Sequence, residues 1–203
     1  MDTDPMNSIR TRLREAGYFL TKAAENYHSP FEFRANVNAC IQALRSISFV
    51  VQKQKASIPH FDTWYGAWQK AMKSDKCMRW VVDARNIIVK EGDLATRSRA
   101  HVQVLKSFGE PPIAVLDVSP EASTIDVVSQ LAEVDIPESV IRDGYVRIER
   151  EWIADLVPDQ ELLSALVHPF TVLSILGDDC HSQLADPQAD DVEQHIQSQL
   201  NVL

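Results

Sequence analysis

The strongest constraint on the fold is a helical apolar repeat that recurs in three segments, residues 8–27, 31–55 and 76–90. In each segment apolar side chains return every three or four residues, which places them on one face of an α-helix. Ser29 and Glu32 have the spacing of a capping box, which predicts that a helix begins beside them. Amphipathic helices bury their apolar faces against one another, so the sequence predicts a helical bundle.

A further helix, rich in aromatic residues, is predicted at residues 62–73. Aromatic side chains at helical spacing can form a surface that stacks nucleic-acid bases, but the same spacing more often indicates core packing. We therefore expect these side chains in the core of the bundle. They are Phe61, Trp64, Tyr65 and Trp68.

The pattern then changes, because apolar and polar residues begin to alternate as they do in a half-buried strand. Residues 100–104 and 113–118 are predicted strands, and the Asp-Gly pair within residues 141–146 predicts a β-hairpin. Residues 119–121 have the character of a helix start. The predicted fold is therefore mainly α, a helical bundle with a small antiparallel β appendage within residues 97–152.

One more helix is predicted near the end of the sequence, opened by residues 157–159 and kinked at Pro169. We expect residues 177–179 to end or weaken it. The stretch from Asp186 onward is acidic and rich in glutamine, and we expect it to be frayed or disordered. The predicted organisation is a bundle core at residues 1–95, a β-containing insertion at 96–157, a returning helix at 158–185 and an acidic tail at 186–203.

Composition also predicts the compartment. The first residues are acidic and polar, unlike a secretory signal, and no apolar run approaches the roughly 20 residues that cross a bilayer. Cys40, Cys77 and Cys180 are odd in number and far apart, so we expect reduced thiols. These features together predict a cytoplasmic protein.

The net charge of −9 conceals an asymmetry between the two halves of the chain. Residues 1–110 carry 17 Lys and Arg against 11 Asp and Glu, a balance of +6, whereas residues 111–203 carry 3 against 18, a balance of −15. Two interpretations remain open. The halves complement each other when packed, or the basic half meets an anion such as RNA.

Arg85 is the residue whose position is most informative about function. On a helical projection Arg79, Asp83, Asn86 and Lys90 form one polar stripe. Arg85 lies roughly 120° from that stripe, among apolar residues, and we expect its side chain to be buried. A guanidinium keeps its charge there, so it requires a carboxylate, a bound anion or water.

The run from Asp83 to Gly92 resembles the signature of HEPN domains, in which Arg, usually followed by Asn or Asp, precedes a His several residues later. The resemblance covers residues 8–92 as a helix pattern and only Arg85 and Asn86 as a motif. It implies a helical bundle, commonly a homodimer. Members are metal-independent ribonucleases of toxin–antitoxin and defence systems, or non-catalytic relatives that bind RNA or a nucleotide.

Carried over residue by residue, the resemblance gives Arg85 the role of anion contact and Asn86 that of its positioner, with Lys90 in the place of the family's His. These three are the candidate catalytic positions. A lysine is protonated at neutral pH and is a poor general base. The first expectation is therefore a non-catalytic RNA- or nucleotide-binding protein, and the first alternative is an endoribonuclease with an altered acid–base group.

The second alternative is a structural or interaction protein, with Arg85 in a buried ion pair and a protein partner in a toxin–antitoxin or defence system. His101 could replace the missing base, although its alternating context favours a surface histidine on a strand. The adjacent residues 178–181 lack the paired spacing of zinc ligands, so we expect no metal and no cofactor. The candidate anion-binding residues are Arg79, Arg85, Lys90, Arg97, Arg99 and His101.

Overall fold

A computed structural model describes residues 5–107, 109–119, 121–155, 157, 159–187 and 191–201. In these residues eight helices accompany one three-stranded antiparallel sheet, which confirms the predicted fold class of a mainly α protein with a small β appendage. In chain order the elements are α1 (Pro5–Glu25), α2 (Pro30–Lys53), α3 (Phe61–Ser74), α4 (Lys76–Glu91), β1 (Thr96–Leu105), β2 (Ala114–Asp117), α5 (Thr124–Leu131), α6 (Glu138–Asp143), β3 (Tyr145–Ala154), α7 (Leu162–Ala185) and α8 (Val192–Leu200).

Local capping explains where several helices begin and end. The Asp75 side chain accepts a hydrogen bond from the Met78 amide at the start of α4, and Gly92 ends that helix with a φ of 94°. The capping box predicted at Ser29 is wrong, because the Ser29 side chain makes no capping hydrogen bond. A capping box does form between Ser123 and Asp126, so α5 begins later than the predicted start at residues 119–121.

Helix α7 fills the centre of the bundle, where it packs against α1, α2 and α4. The helix continues through Gly177, and the expected termination at residues 177–179 is wrong. An ideal Cβ on Gly177 would lie 2.9 Å from Leu13 Cδ1, so the glycine permits a close approach of α1 and α7. The side chains fully buried at this centre include Ile9, Ile41, Leu44, Leu162, Leu166, Leu173 and Leu176.

By length and composition, α7 is also long and apolar enough to cross a membrane, which corrects the expectation that no segment of the sequence approaches that requirement. Half of its most apolar stretch of 18 residues is buried inside the protein. Helix α7 therefore has the burial expected of a core helix, and localisation in the cytoplasm stays a prediction.

The sheet has the strand order β2-β1-β3 and encloses a second, smaller core with α5 and α6. The predicted hairpin at residues 141–146 is wrong, because residues 138–143 form α6. Gly144 ends that helix, where an ideal Cβ would lie 2.4 Å from the Val140 carbonyl oxygen. The Asp-Gly pair thus closes a helix instead of turning a hairpin. The side chains buried in this small core are Val102, Val104, Leu116, Ala122, Val127 and Val140.

Trp152 attaches the sheet to the bundle. Its ring stacks on Phe33 at a centroid distance of 4.6 Å, and its Nε1 donates to the Tyr27 carbonyl oxygen at 2.9 Å. Trp152 is fully buried. The far end of β3 is thereby anchored on α2, whereas its first residues lie in the appendage.

The expected disorder of the acidic tail is wrong for residues 191–201, which contain α8. This helix packs against α3 and buries Val192 and Ile196. Lys70 on α3 also forms an ion pair with Glu193 at 2.7 Å. The rest of the predicted tail after Pro187, residues 188–190 and 202–203, lies outside the described residues.

Candidate anion-binding site

Arg85 lies at the flank of the buried face of α4. Trp80, Ala84 and Ile88 mark the centre of that face, while Val89 on the outer side is exposed. The Arg85 side chain is half-buried, which is less than the burial expected from its apolar neighbours in the sequence. Its guanidinium therefore borders both the bundle and solvent.

A second arginine, Arg45, lies on α2, which packs against α4. Burial lowers the pKa of Arg45, Tyr65 opposes that shift, and the positive charge of Arg85 adds a smaller lowering. The Arg45 guanidinium carbon lies 4.3 Å from the ring centroid of Phe49, so one face of this cation is covered by an aromatic ring. Among the described residues, neither arginine has a carboxylate within 4.0 Å. The two arginines thus form a pair of like charges without a protein counterion in that part of the chain.

Of the other two motif positions, Asn86 has a described contact with Arg85 and Lys90 has none. Arg85 Nη1 donates to Asn86 Oδ1 over 3.4 Å, a long hydrogen bond that is compatible with Asn86 as a positioner. Lys90 is exposed in the last turn of α4, where a cation is favoured by the helix dipole. No described contact joins Lys90 to Arg85.

A cavity of about 310 Å³ lies between α2, α3, α4 and α7, and Arg45 is part of its lining. Lys73, Arg79 and Asp83 supply the other charged groups, so the rim carries three cations and one carboxylate. Arg85 does not line the cavity, but it follows the lining residue Val82 by one helical turn. The apolar part of the lining comprises Leu44, Met72, Met78, Val81, Val82 and Leu173.

The other predicted anion contacts lie elsewhere or have partners. Arg79 Nη1 donates to the Lys73 and Ser74 carbonyl oxygens at 2.8 and 3.1 Å, so this arginine caps the end of α3. Arg97 Nε donates to Asp155 Oδ1 at 2.8 Å. The structure therefore does not bring all the predicted basic residues into one site.

Arg99 and His101 lie on the outer face of the sheet, away from the arginine pair on α2 and α4. They are exposed, and their cross-strand neighbours on β3 are Glu151 and Glu149. A carboxylate stands opposite each of these two side chains, which disfavours binding of an anion at this face. The position of His101 agrees with the interpretation of a surface histidine on a polar strand face.

Some of the positive charges of residues 1–110 are paired with negative charges of residues 111–203. Among the described residues, four ion pairs join a lysine or arginine from residues 1–110 to a carboxylate from residues 111–203, which supports the interpretation that the halves complement each other. Every partner is at least partly exposed, so each pair stabilises the fold only weakly. The pairs are Arg34–Glu121, Lys70–Glu193, Lys76–Asp159 and Arg97–Asp155.

Comparison with protein families decides the relationship of this chain. The family model described as bacteriophage lambda protein ea47 matches residues 2–201. The chain belongs to the ea47 family. Protein ea47 of Escherichia phage lambda is 29% identical to it over 191 residues, which are 89% of this chain and 45% of that relative. The chain thus spans about half the length of this curated relative, and no solved structure matches it.

A buried polar cluster of this ea47-family chain was not predicted from the sequence. Asp179 is 5% exposed, and its Oδ2 accepts hydrogen bonds from the indole nitrogens of Trp64 and Trp68, each at 2.7 Å. Its Oδ1 lies 2.9 Å from His195 Nε2 of α8. The aromatic side chains of α3 are buried, as expected. Asp179 therefore supplies the hydrogen-bond acceptor for two buried indoles in the core. Its neighbour Asp178 is exposed and does not contact the cluster.

Arg45 was not among the anion-binding residues predicted from the sequence of this ea47-family chain. The available signal was the unpaired charge of Arg85, which required a neighbouring group of unknown identity. The packing of α2 on α4 supplies that neighbour, and its charge has the same sign. Among the described residues, therefore, Arg85 has no carboxylate with which to form the buried ion pair that one alternative predicted.

Proposed function

We propose that this chain binds RNA or a nucleotide through the arginine pair of its bundle, Arg45 and Arg85, without cleaving it. The observation that carries the proposal is that two arginines on the packed helices α2 and α4 interact through like charges, while neither has a carboxylate within 4.0 Å among the described residues. A phosphate between them would relieve their repulsion and accept hydrogen bonds from both. Protein carboxylates usually neutralise charges that are withdrawn from water, and within the described residues none lies within 4.0 Å of these two half-buried arginines, which supports an external anion.

The adjoining cavity supports a ligand that combines a phosphate with an apolar ring. Its lining is largely apolar, while Arg45 and Lys73 lie at its rim. Such a division suits a nucleobase that enters the cavity and a phosphate that stays at the arginine pair. Gln52 and Gln69 also line the cavity and can donate to or accept from the edge of a base.

The absence of cleavage rests on the chemistry of the motif. RNA cleavage by attack of a 2′-hydroxyl requires a group that removes a proton, and the position where the resembled family has His is Lys90. His101 lies on the sheet beside Glu149 instead of facing α4. We therefore assign binding, not proton transfer, to Arg85 and Asn86. The predicted homodimer, the protein partner and the link to toxin–antitoxin or defence systems stay predictions.

Fluorescence anisotropy with a short labelled single-stranded RNA tests the proposal directly. Arg45→Ala and Arg85→Ala should each weaken binding about tenfold, because each removes a charge-assisted phosphate contact. Each substitution should also reduce the slope of log affinity against log salt by about 1. Arg85→Lys should retain part of the affinity, because it keeps the charge but loses the bidentate geometry.

The matched control is Arg12→Ala on α1, which removes an exposed cation paired with Glu15. It should leave affinity within about twofold of the unmodified protein, because an exposed pair contributes little. Competition with unlabelled ATP distinguishes a nucleotide site from a longer RNA track. Undetectable RNA and ATP binding at low salt, or equal losses for Arg12→Ala and Arg85→Ala, would contradict the proposal.

A further inference from the structure

The β appendage exposes more large apolar side chains than its small core buries. Val128, Ile141, Tyr145 and Val146 are between 50% and 71% exposed, and all four line one groove. Isolated exposed apolar residues are common on monomeric proteins, whereas a contiguous group around a concave surface marks an interaction site. Four of these exposed side chains therefore share one surface, whereas Ile113, Val115 and Ile125 lie outside the groove.

The groove lies at the end of the sheet that is remote from Trp152. It has a volume of about 300 Å³ and is formed by the end of α5, by α6 and by the first residues of β3. Val104 of β1 and Val140 of α6 form its buried floor. The side chains that complete the lining are Leu131, Ala132, Val134, Ile136 and Gly144.

Acidic residues are in excess along the groove: residues 132–149 carry five carboxylates and two arginines, and both arginines are paired, Arg142 with Glu138 and Arg147 with Glu149. Glu133 and Asp135 alternate with the lining residues Val134 and Ile136, and both carboxylates are exposed. Asp143 precedes the lining residue Gly144 and is exposed as well. None of the three carboxylates has an ion pair in the part of the chain that the structure describes, so their charges remain available to a partner.

We propose that this groove docks a short segment of a partner protein that carries large apolar side chains flanked by lysine or arginine. The apolar side chains would enter the groove, and the cations would meet Glu133, Asp135 and Asp143. The acidic border repels the phosphates of RNA and of anionic lipids, which leaves a basic protein segment as the complementary occupant. This surface is separate from the arginine pair on α2 and α4.

Selection from a yeast-displayed library of random 12-residue peptides tests the proposal while the natural partner is unidentified. The unmodified protein serves as bait, and the double variant Val128→Glu, Ile141→Glu serves for counter-selection. Both substituted side chains are largely exposed, so the variant should keep the fold, which circular dichroism checks. Enriched peptides should combine large apolar residues with Lys or Arg.

An enriched peptide is then measured in solution by fluorescence anisotropy. Binding should fall at least about tenfold in the double variant, and also in Glu133→Lys, Asp135→Lys, with a weaker dependence on salt in the latter. The matched control Val115→Glu, Val167→Glu alters two valines that are 52% and 49% exposed outside the groove, and should change affinity less than twofold.

Each other outcome would overturn the proposal. Enrichment of acidic or purely polar peptides, or no enrichment over the counter-selection bait, would show that the groove does not recognise a basic apolar segment. Equal loss of affinity in the groove and control variants would show that the added negative charge weakens binding wherever it is placed, and that the groove is not the binding site. Sedimentation that detects a dimer of the unmodified protein but a monomer of the double variant would identify a second copy of this chain as the occupant.

Discussion

Replacing Asp179 by alanine should destabilise the bundle through the groups that it leaves behind. The carboxylate accepts from the indoles of Trp64 and Trp68 in a site that is 5% exposed, and from His195 at the surface of α8. Alanine offers no acceptor, so two buried N–H groups lose their partners. Each unpaired buried donor costs about 1–3 kcal/mol, which gives a range of about 2–6 kcal/mol.

The lower part of that range is expected. Asp179→Ala also removes a buried carboxylate whose own desolvation opposes folding, so we expect a loss of about 2–4 kcal/mol in the free energy of unfolding. Asp179→Asn keeps one acceptor oxygen for the two indoles and should cost about half as much. The His195 contact adds little because that side chain is partly exposed.

Urea denaturation followed by circular dichroism measures these differences, and tryptophan fluorescence provides a second signal from the four indoles, which include those of Trp64 and Trp68. Asp178→Ala is the matched control, because it makes the same change one residue earlier on the exposed side of α7. It should lie within about 0.5 kcal/mol of the unmodified protein. The reasoning is refuted if Asp179→Ala and Asp178→Ala have the same unfolding midpoint.

Three further predictions concern packing, pH and catalysis. Gly177→Ala should lower the unfolding midpoint because its Cβ would meet Leu13 at 2.9 Å, whereas Gly66→Ala, in open space within a helix, should raise stability by about 0.5–1 kcal/mol. Burial raises the pKa of the Cys40 thiol from 9.0 to about 12, so the folded state holds this proton more tightly than the unfolded state does. The free energy of unfolding should therefore fall as pH rises from 9.0 towards 12. Urea titrations should show a smaller fall for Cys40→Ala. Cleavage of labelled RNA should be undetectable on gels for the unmodified protein; strong cleavage that needs no metal and is lost in Arg85→Ala would favour the ribonuclease alternative.

The sequence predicted those elements whose ends are decided by nearby residues. Helix α4 is an example, since Asp75 caps its first turn and Gly92 closes its last within a few positions of the apolar repeat. The strand β1 followed from the alternation of apolar and polar residues at 100–104. The sequence around Asp143 and Gly144 does not determine the local structure, because an Asp-Gly pair can form the turn of a hairpin or end a short helix. The burial of Val140 in the small core, close to Gly144, favours the helix.

The largest differences between the predicted and the observed structure concern charged and polar residues. Acidity at Asp179 predicted a helix end, yet the two indoles that hold its carboxylate come from α3, far away in the sequence. The acidic tail contains Val192 and Ile196 one helical turn apart, a short apolar repeat that could have indicated α8. The pair of Arg45 and Arg85 depends on how two helices cross, which no single helix encodes.

The central position of α7 has a consequence for synthesis of the protein. Helices α1 to α4 are complete at Glu91, but the helix that fills the space between them begins only at Leu162, after 70 intervening residues. At roughly 5–20 residues per second, a ribosome takes roughly 4–14 s to make that stretch. Throughout this interval the first four helices expose the apolar faces that α7 later covers. The nascent chain therefore passes through a period in which chaperone binding or aggregation competes with closure of the bundle.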